Sequence, residues 1–356
     1  MNHNLEIQKI LLNIQQLKKA EDQLTLLKQA IALADANNDQ DWGFDLRMDL
    51  IRTEQFTAHS QESFPAFAWI LNTADNNPGM FSEQEILQEY KWLAAVSYNN
   101  LIITKEQIEN IFEDFKSRCI KGGFSLREYY NIVANYSLFM GDNIAARSYL
   151  DNRDKEPADA LSSWSNDMIT TIYVEMFEGE FEKAIAHINE FVANQSSHKM
   201  NSIPVYSGLI YYLGGKMDDD RVTKYFNEAD DEFSKLSVLP FQLYEVTLMM
   251  YYMSKKQKDR AWTYFEKYVN LEIDAESAVR FDFALSVLHL LKGDDTRVLD
   301  MISSRQPYYR EDNTYHLTDL FNYYLGVAAD LADKFDQRNG NTHFKEQMDE
   351  VLSFFS

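Results

Sequence analysis

Residues 130–150 read YNIVANYSLFMGDNIAARSYL, from Tyr130 to Leu150. Apolar residues recur three and four apart on both sides of Gly141, which is the helical period and not the alternation of a strand. Gly141 supplies a helix stop, and Asp142 follows it as a helix start. The stretch therefore predicts a helix, a tight turn and a second helix. Ala146 and Leu150 form the apolar stripe of the second helix, and Val133 and Ala134 that of the first.

The same unit recurs along the chain. A small or β-branched residue is followed four later by a large apolar one at Ile108/Phe112, Ala146/Leu150, Ala184/Ile188, Val222/Phe226, Ala261/Phe265 and Val298/Ile302. The spacings between successive pairs are 38, 38, 38, 39 and 37 residues. Twelve residues before each pair stand Val96, Ala134, Ile172, Ile210, Met249 and Ser286, on a preceding helix. Gly141, Gly179 and Gly293 lie where a tight turn joins the two helices. Punctuation agrees with this reading. Asn76-Asn77-Pro78-Gly79 is a turn, Gly122-Gly123 a helix stop and Asp294-Asp295-Thr296 a helix start, and Pro65 suits a first helical turn. A period near 38 of helix pairs marks a stacked array, because one pair alone cannot bury its apolar face.

The pattern resembles the tetratricopeptide repeat family. Trp92, Ala95, Val96, Ile108 and Phe112 resemble one unit, and Tyr130, Val133, Ala134, Gly141, Ala146 and Leu150 the next. Gly179, Phe181, Ala184, Ile188 and Phe191 are most similar to the family's second half. The period is longer than the standard 34 residues. The turn near 256 has lysine where glycine is usual. The resemblance implies an all-α fold, a right-handed α-solenoid of stacked antiparallel helix pairs. We expect one continuous array: an N-terminal pair over 1–38, repeats over 39–310 and a C-terminal pair over 311–356, making eight or nine pairs.

Composition agrees with an all-helical soluble protein. The 356 residues contain only 12 glycines and 6 prolines, which a mixed α/β chain of this length would exceed. A single cysteine, Cys119, excludes an internal disulfide framework and a multi-cysteine zinc site. No secretory leader or uninterrupted apolar span is visible, so a cytoplasmic location is expected. The 34 basic and 56 acidic residues give a net charge of −22, which disfavours nucleic acid and anionic membrane as partners. Residues 151–250 carry 18 acidic and 8 basic residues, so a partner facing this stretch is expected to be basic.

Reactive constellations are scarce. The seven histidines form no ligand pair at helical spacing, and no cofactor or metal is expected. Asp218-Asp219-Asp220 and Asp230-Asp231-Glu232 lack calcium-loop spacing and read as solvated helix starts. Gly214-Gly215-Lys216 lacks the rest of a phosphate loop. Cys119 sits beside Arg118 and Lys121 but reads as structural. An enzyme built on His59, His289 or Cys119 is the remotest reading, and none is expected.

The resemblance instead implies a groove on the concave face that binds a peptide or partner protein. Carried onto this sequence, the groove positions are Ser97, Asn131, Asn135, Tyr173, Tyr211 and Met250, with Arg52 and Gln55 from the preceding unit. Asn131 and Asn135 are four apart, so their amides share a helix face and suit the backbone of an extended peptide. Tyr173, Tyr211 and Met250 would form an adaptable wall. Length and period also resemble the Rap-type peptide-receptor regulators of Gram-positive bacteria, which implies, as an alternative, a short signalling peptide that gates a partner. Phe354 and Phe355 at the end are expected to dock back or to mediate a homo-oligomer.

Overall fold

The structure is a computed structural model and describes residues 3–198, 202–217 and 219–353. The described residues form seventeen α-helices and one two-stranded ribbon. The first six helices are α1 (His3–Ile14), α2 (Ala20–Ala36), α3 (Gln40–Glu54), α4 (Ser63–Asn76), α5 (Glu83–Val96) and α6 (Lys105–Gly122). The next six are α7 (Arg127–Phe139), α8 (Asn143–Arg153), α9 (Trp164–Phe177), α10 (Phe181–His198), α11 (Ile203–Ile210) and α12 (Val222–Ser234). Then come α13 (Leu243–Lys256), α14 (Lys258–Tyr268), α15 (Ser277–Leu291), α16 (Leu317–Asn339) and α17 (His343–Ser353).

The helices stack in two layers. Odd-numbered helices pair with their successors, α1 with α2 through α15 with α16, and α16 then pairs with α17. The odd-numbered helices also pack on one another from α3 to α15. Local chemistry sets the boundaries. Thr104 and Gln107 make a reciprocal cap at the start of α6. The Asp142 carboxylate accepts from the Ala145 N–H at the start of α8. Gly141 has φ of +78°, the left-handed turn between α7 and α8 that side chains resist.

The repeat anchors from Ile108/Phe112 through Ala261/Phe265 all lie on second helices and are buried. The sixth anchor pair does not. Val298 lies in β1 (Thr296–Val298), which pairs antiparallel with β2 (Thr314–His316), and is 60% exposed. Asp294-Asp295-Thr296 thus begins a strand, contrary to expectation. Thr296 and Val298 are β-branched, and α15 packs directly on α16, so this unit needs no second helix. Asp230-Asp231-Glu232 also departs from expectation, because it lies inside α12. Asp230 there accepts from Arg260 and from the Tyr264 hydroxyl, and Glu232 from Ser202. Asp218, Phe354 and Phe355 lie outside the described residues.

The array curls until distant units touch. The Glu276 N–H donates to the Ala58 carbonyl at 2.9 Å, and Ser60 Oγ donates to the Glu276 carboxylate at 2.5 Å. Phe56 meets Phe241 edge-on, with ring centroids 6.2 Å apart. At a second seam, Phe335 and Phe344 stack at 4.4 Å and both contact Phe139 at the end of α7. Arg338 donates to the Asn100 carbonyl and Asn341 to that of Met140. A Cβ at Gly141 would come within 2.4 Å of the His343 ring, so glycine is needed there for this contact as well as for its turn.

The apolar core has two main bodies, one over residues 7–161 and one over 172–351. A polar network stands near the join. Arg153 is 3% exposed and donates to Asn131 Oδ1, the Asp167 carbonyl and Thr171 Oγ1. Arg127 reaches the Asp167 carboxylate at 2.7 Å. Removing one member of a buried network leaves its partners unpaired. Arg153→Ala is therefore expected to lower stability by ~3 kcal/mol. Arg52→Ala, an exposed ion-paired arginine, should cost less than ~1 kcal/mol. Urea denaturation followed by circular dichroism compares the two, and equal costs would contradict this account.

Candidate functional site

The expected groove residues fall into two groups. Arg52, Gln55, Ser97, Asn131, Asn135 and Met250 are engaged within the chain. Arg52 binds Glu85 and Glu89, and Gln55 donates to Glu89, which ties α3 to α5. Ser97 is 0% exposed and donates to the Ala94 carbonyl. Asn131 accepts from Arg153, while Asn135 Nδ2 donates to the Asn131 carbonyl and to Thr170 Oγ1 at 2.8 Å. Both amides thus join α7 to its neighbours, with Asn131 buried and Asn135 half-buried. Met250 is 0% exposed in the core.

Tyr173 and Tyr211 stand differently. Both are partly exposed, Tyr173 on α9 and Tyr211, with Tyr212, just after α11, while α13 carries the exposed Tyr244 and the buried Tyr251. Residues 211–216 wind as a π-helical turn that ends in Gly214-Gly215-Lys216. Turns of this kind occur often at functional sites. The turn sets the Tyr211 ring against Tyr212 at 5.1 Å and against Tyr251 at 4.9 Å. A Cβ at Gly208 would come within 2.8 Å of the Tyr173 ring, so glycine lets α11 approach α9 there. Tyr173 donates to the Pro204 carbonyl at 3.1 Å.

Two acids complete this face, Glu245 on α13 and Asp282 on α15. Neither makes an ion pair with any described residue, and Glu245 Oε2 is sealed from solvent without a hydrogen-bond partner. Burial pushes both carboxyls up to about 7. Tyr244 is 38% exposed, yet surrounding protein drives its phenol well above 10. Lys216 stands over the Tyr211 and Tyr212 rings and pairs with Glu350 of α17 at 2.9 Å. Phe56, Leu236, Val238, Leu239 and Phe241 are further exposed apolar residues.

Met250 on α13 is buried together with its neighbour Met249, while Tyr244 on the same helix is 38% exposed and Glu245 and Asp282 are half-buried. A signal was present, because Glu245 and Asp282 are lone acids within LYEVTLMMYYM and FDFALSVL.

Other reactive groups are placed apart. Cys119 is buried on α6, and burial pushes its thiol up to about 12. His59 holds Glu54, whose other oxygen accepts from Ser63 Oγ and its N–H, so the serine is bound to carboxylate and not to imidazole. His289 lines a cavity of about 530 Å³ with Lys216, Lys255, Lys256, Lys258 and Lys292. Lys216, Lys255, Lys256 and Lys292 sit at the C-terminal ends of the π-helical turn, α13 and α15, where cations offset the negative end of the helix dipole, while Lys258 opens α14. Among the described residues no group of His, Cys, Asp and Glu is placed to hold a metal ion. No described helix is long and apolar enough to cross a membrane.

The two acids make a stability prediction. Their folded pKa values lie above the ordinary 3.8 and 4.5. Between about pH 4 and 7 the unfolded chain gives up protons that the folded chain keeps, so their effect is to lower stability as pH rises through that window. Solvent in the recess screens part of this. Asp282→Asn should raise Tm by about 2–4 °C at pH 8 and leave it unchanged at pH 4. Calorimetric scans at both values check this, and a lower Tm at pH 8 would contradict it. Comparison with known proteins finds no family model, no curated protein and no solved structure that matches the chain.

Proposed function

We propose that the chain is a binding scaffold, a right-handed tetratricopeptide-like solenoid whose inner recess takes an extended segment of a peptide or partner protein. Catalysis has no part in this reading. One observation carries it: Tyr173 on α9, Tyr211 and Tyr212 in the π-helical turn after α11 and Tyr244 on α13 stay partly exposed on neighbouring members of the odd-numbered layer. Tyrosines supply large contact area with few rotors to freeze, which suits a binding wall. Exposed Phe56 and Phe241, which meet edge-on, add further apolar surface. Stacked first helices present such a surface as a strip, and a strip fits an extended chain better than a compact ligand.

A phage-displayed library of random 12-residue peptides, selected on the wild-type protein, tests this. Selected peptides should bind in solution and lose at least tenfold in affinity on Tyr244→Arg, about 1.4 kcal/mol. Tyr244 is 38% exposed, so the change should leave the fold intact. Absence of enriched peptides, or binding indifferent to Tyr244→Arg, would overturn the groove.

A further inference from the structure

We propose that the contact between the α3–α4 connection and the start of α15 is a proton-operated clasp that holds the array curled. The clasp tightens as pH falls and loosens as pH rises. It is independent of the binding reading above.

Two seams join distant parts of the curl, and they differ in chemistry. The seam around Phe139, Phe335 and Phe344 is built of stacked and edge-on rings. The seam at α15 is polar and carries acids. Residues 216 apart along the chain meet there, with Ser60 Oγ donating to Glu276 Oε1 at 2.5 Å. The Glu276 N–H donates to the Ala58 carbonyl at 2.9 Å. His59, between those two positions in sequence, holds Glu54 Oε1 at 2.9 Å. Glu54 is fixed in turn by the Ser63 N–H at 2.7 Å and the Glu62 N–H at 3.1 Å. Glu54, Ser60 and Glu276 are buried, and His59 is half-buried. Closure thus brings a second buried carboxylate to a connection that already holds Glu54 and its histidine.

Glu276 Oε2 is sealed from solvent and accepts no hydrogen bond from any described residue. An ionised carboxylate is costly in such a place. As a neutral acid Glu276 still accepts from Ser60 and carries no charge into the seam. Burial accordingly holds its carboxyl above the ordinary 4.5. The hydrogen bond to Glu54 holds the His59 imidazole above the ordinary 6.5, and the nearby charges of Glu54, Glu276 and Asp274 act in the same direction. When the seam opens, water returns to Glu276, and His59 loses it as a neighbour. Both groups therefore keep protons in the closed seam that they give up in the open one. Their contribution to closure is fully present below each ordinary value and is lost as pH rises through each raised one. Glu272 pairs with Arg280 and Asp274 with Arg305 on the α15 side, where Arg280 also donates to Tyr323. Glu62 pairs with Lys28 on the other side. Each of these pairs lies within one side of the seam and is kept when it opens.

Amide hydrogen exchange of the full chain, read at the Glu276 N–H and converted to protection factors, tests the clasp. This N–H reports directly, because its acceptor lies across the seam. Between pH 6 and 9 its protection factor should fall by about fivefold or more. The Ile108 N–H, bonded to Thr104 at the start of α6, should keep its own. Glu276→Gln retains an acceptor for Ser60 but cannot ionise, and it should flatten most of the profile. His59→Gln should lower protection at pH 6 and leave it unchanged at pH 9. Circular dichroism shows that both variants are folded. A wild-type protection factor that is constant from pH 6 to 9 would overturn the clasp. A profile that survives Glu276→Gln unchanged would place the titrating group elsewhere and overturn it as well.

Discussion

The contact on which everything else rests is the packing of each odd-numbered helix on the next. An isolated helix pair leaves half of its apolar stripe in water, and only the next pair covers it. The run from α3 to α15 is therefore both the spine of the molecule and the source of its inner surface. Where this packing is apolar the array is continuous. Where Arg153 and Asp167 replace it, the core divides into two bodies. Asn131 and Asn135 belong to that polar joint, which explains two exchangeable-looking amides on one helix face.

Closure follows from the same packing. A stack of pairs with constant small rotation bends, and here the bend brings Ala58 to Glu276 and Phe139 to Phe344. The C-terminal helices α16 and α17 thus fill part of the inner space as core. Phe344 is only 3% exposed, so α17 is a structural wall and not a loosely held plug. Tyr173, Tyr211, Tyr212 and Tyr244 remain at least partly exposed beside this closed packing.

Much of this was legible in the residues. Five anchors at spacings near 38 locate α6, α8, α10, α12 and α14, because helix periodicity and Gly or Asx punctuation are local properties. The same local reasoning expected Tyr173 and Tyr211 at groove positions, and both are partly exposed. It failed at Val298, where the ribbon of β1 and β2 replaces a helix because α16 already covers α15. That is a contact between segments separated along the chain, and no local pattern encodes it.

The identity of the recess is likewise a long-range matter. Helix type follows from composition and period, but the rotation of each helix about its axis depends on what packs against it. Met250, expected at the groove, is 0% exposed, while Tyr244 on the same helix is 38% exposed. Whether an acid is paired also depends on where other helices bring their cations, as with Arg153 at the joint and Lys216 on Glu350. The one-dimensional pattern thus contains the helices and their order, since those need only nearest neighbours. The open tyrosines and the two lone carboxylates emerge from the curl of the whole array, since burial and charge pairing are set by residues far away along the chain.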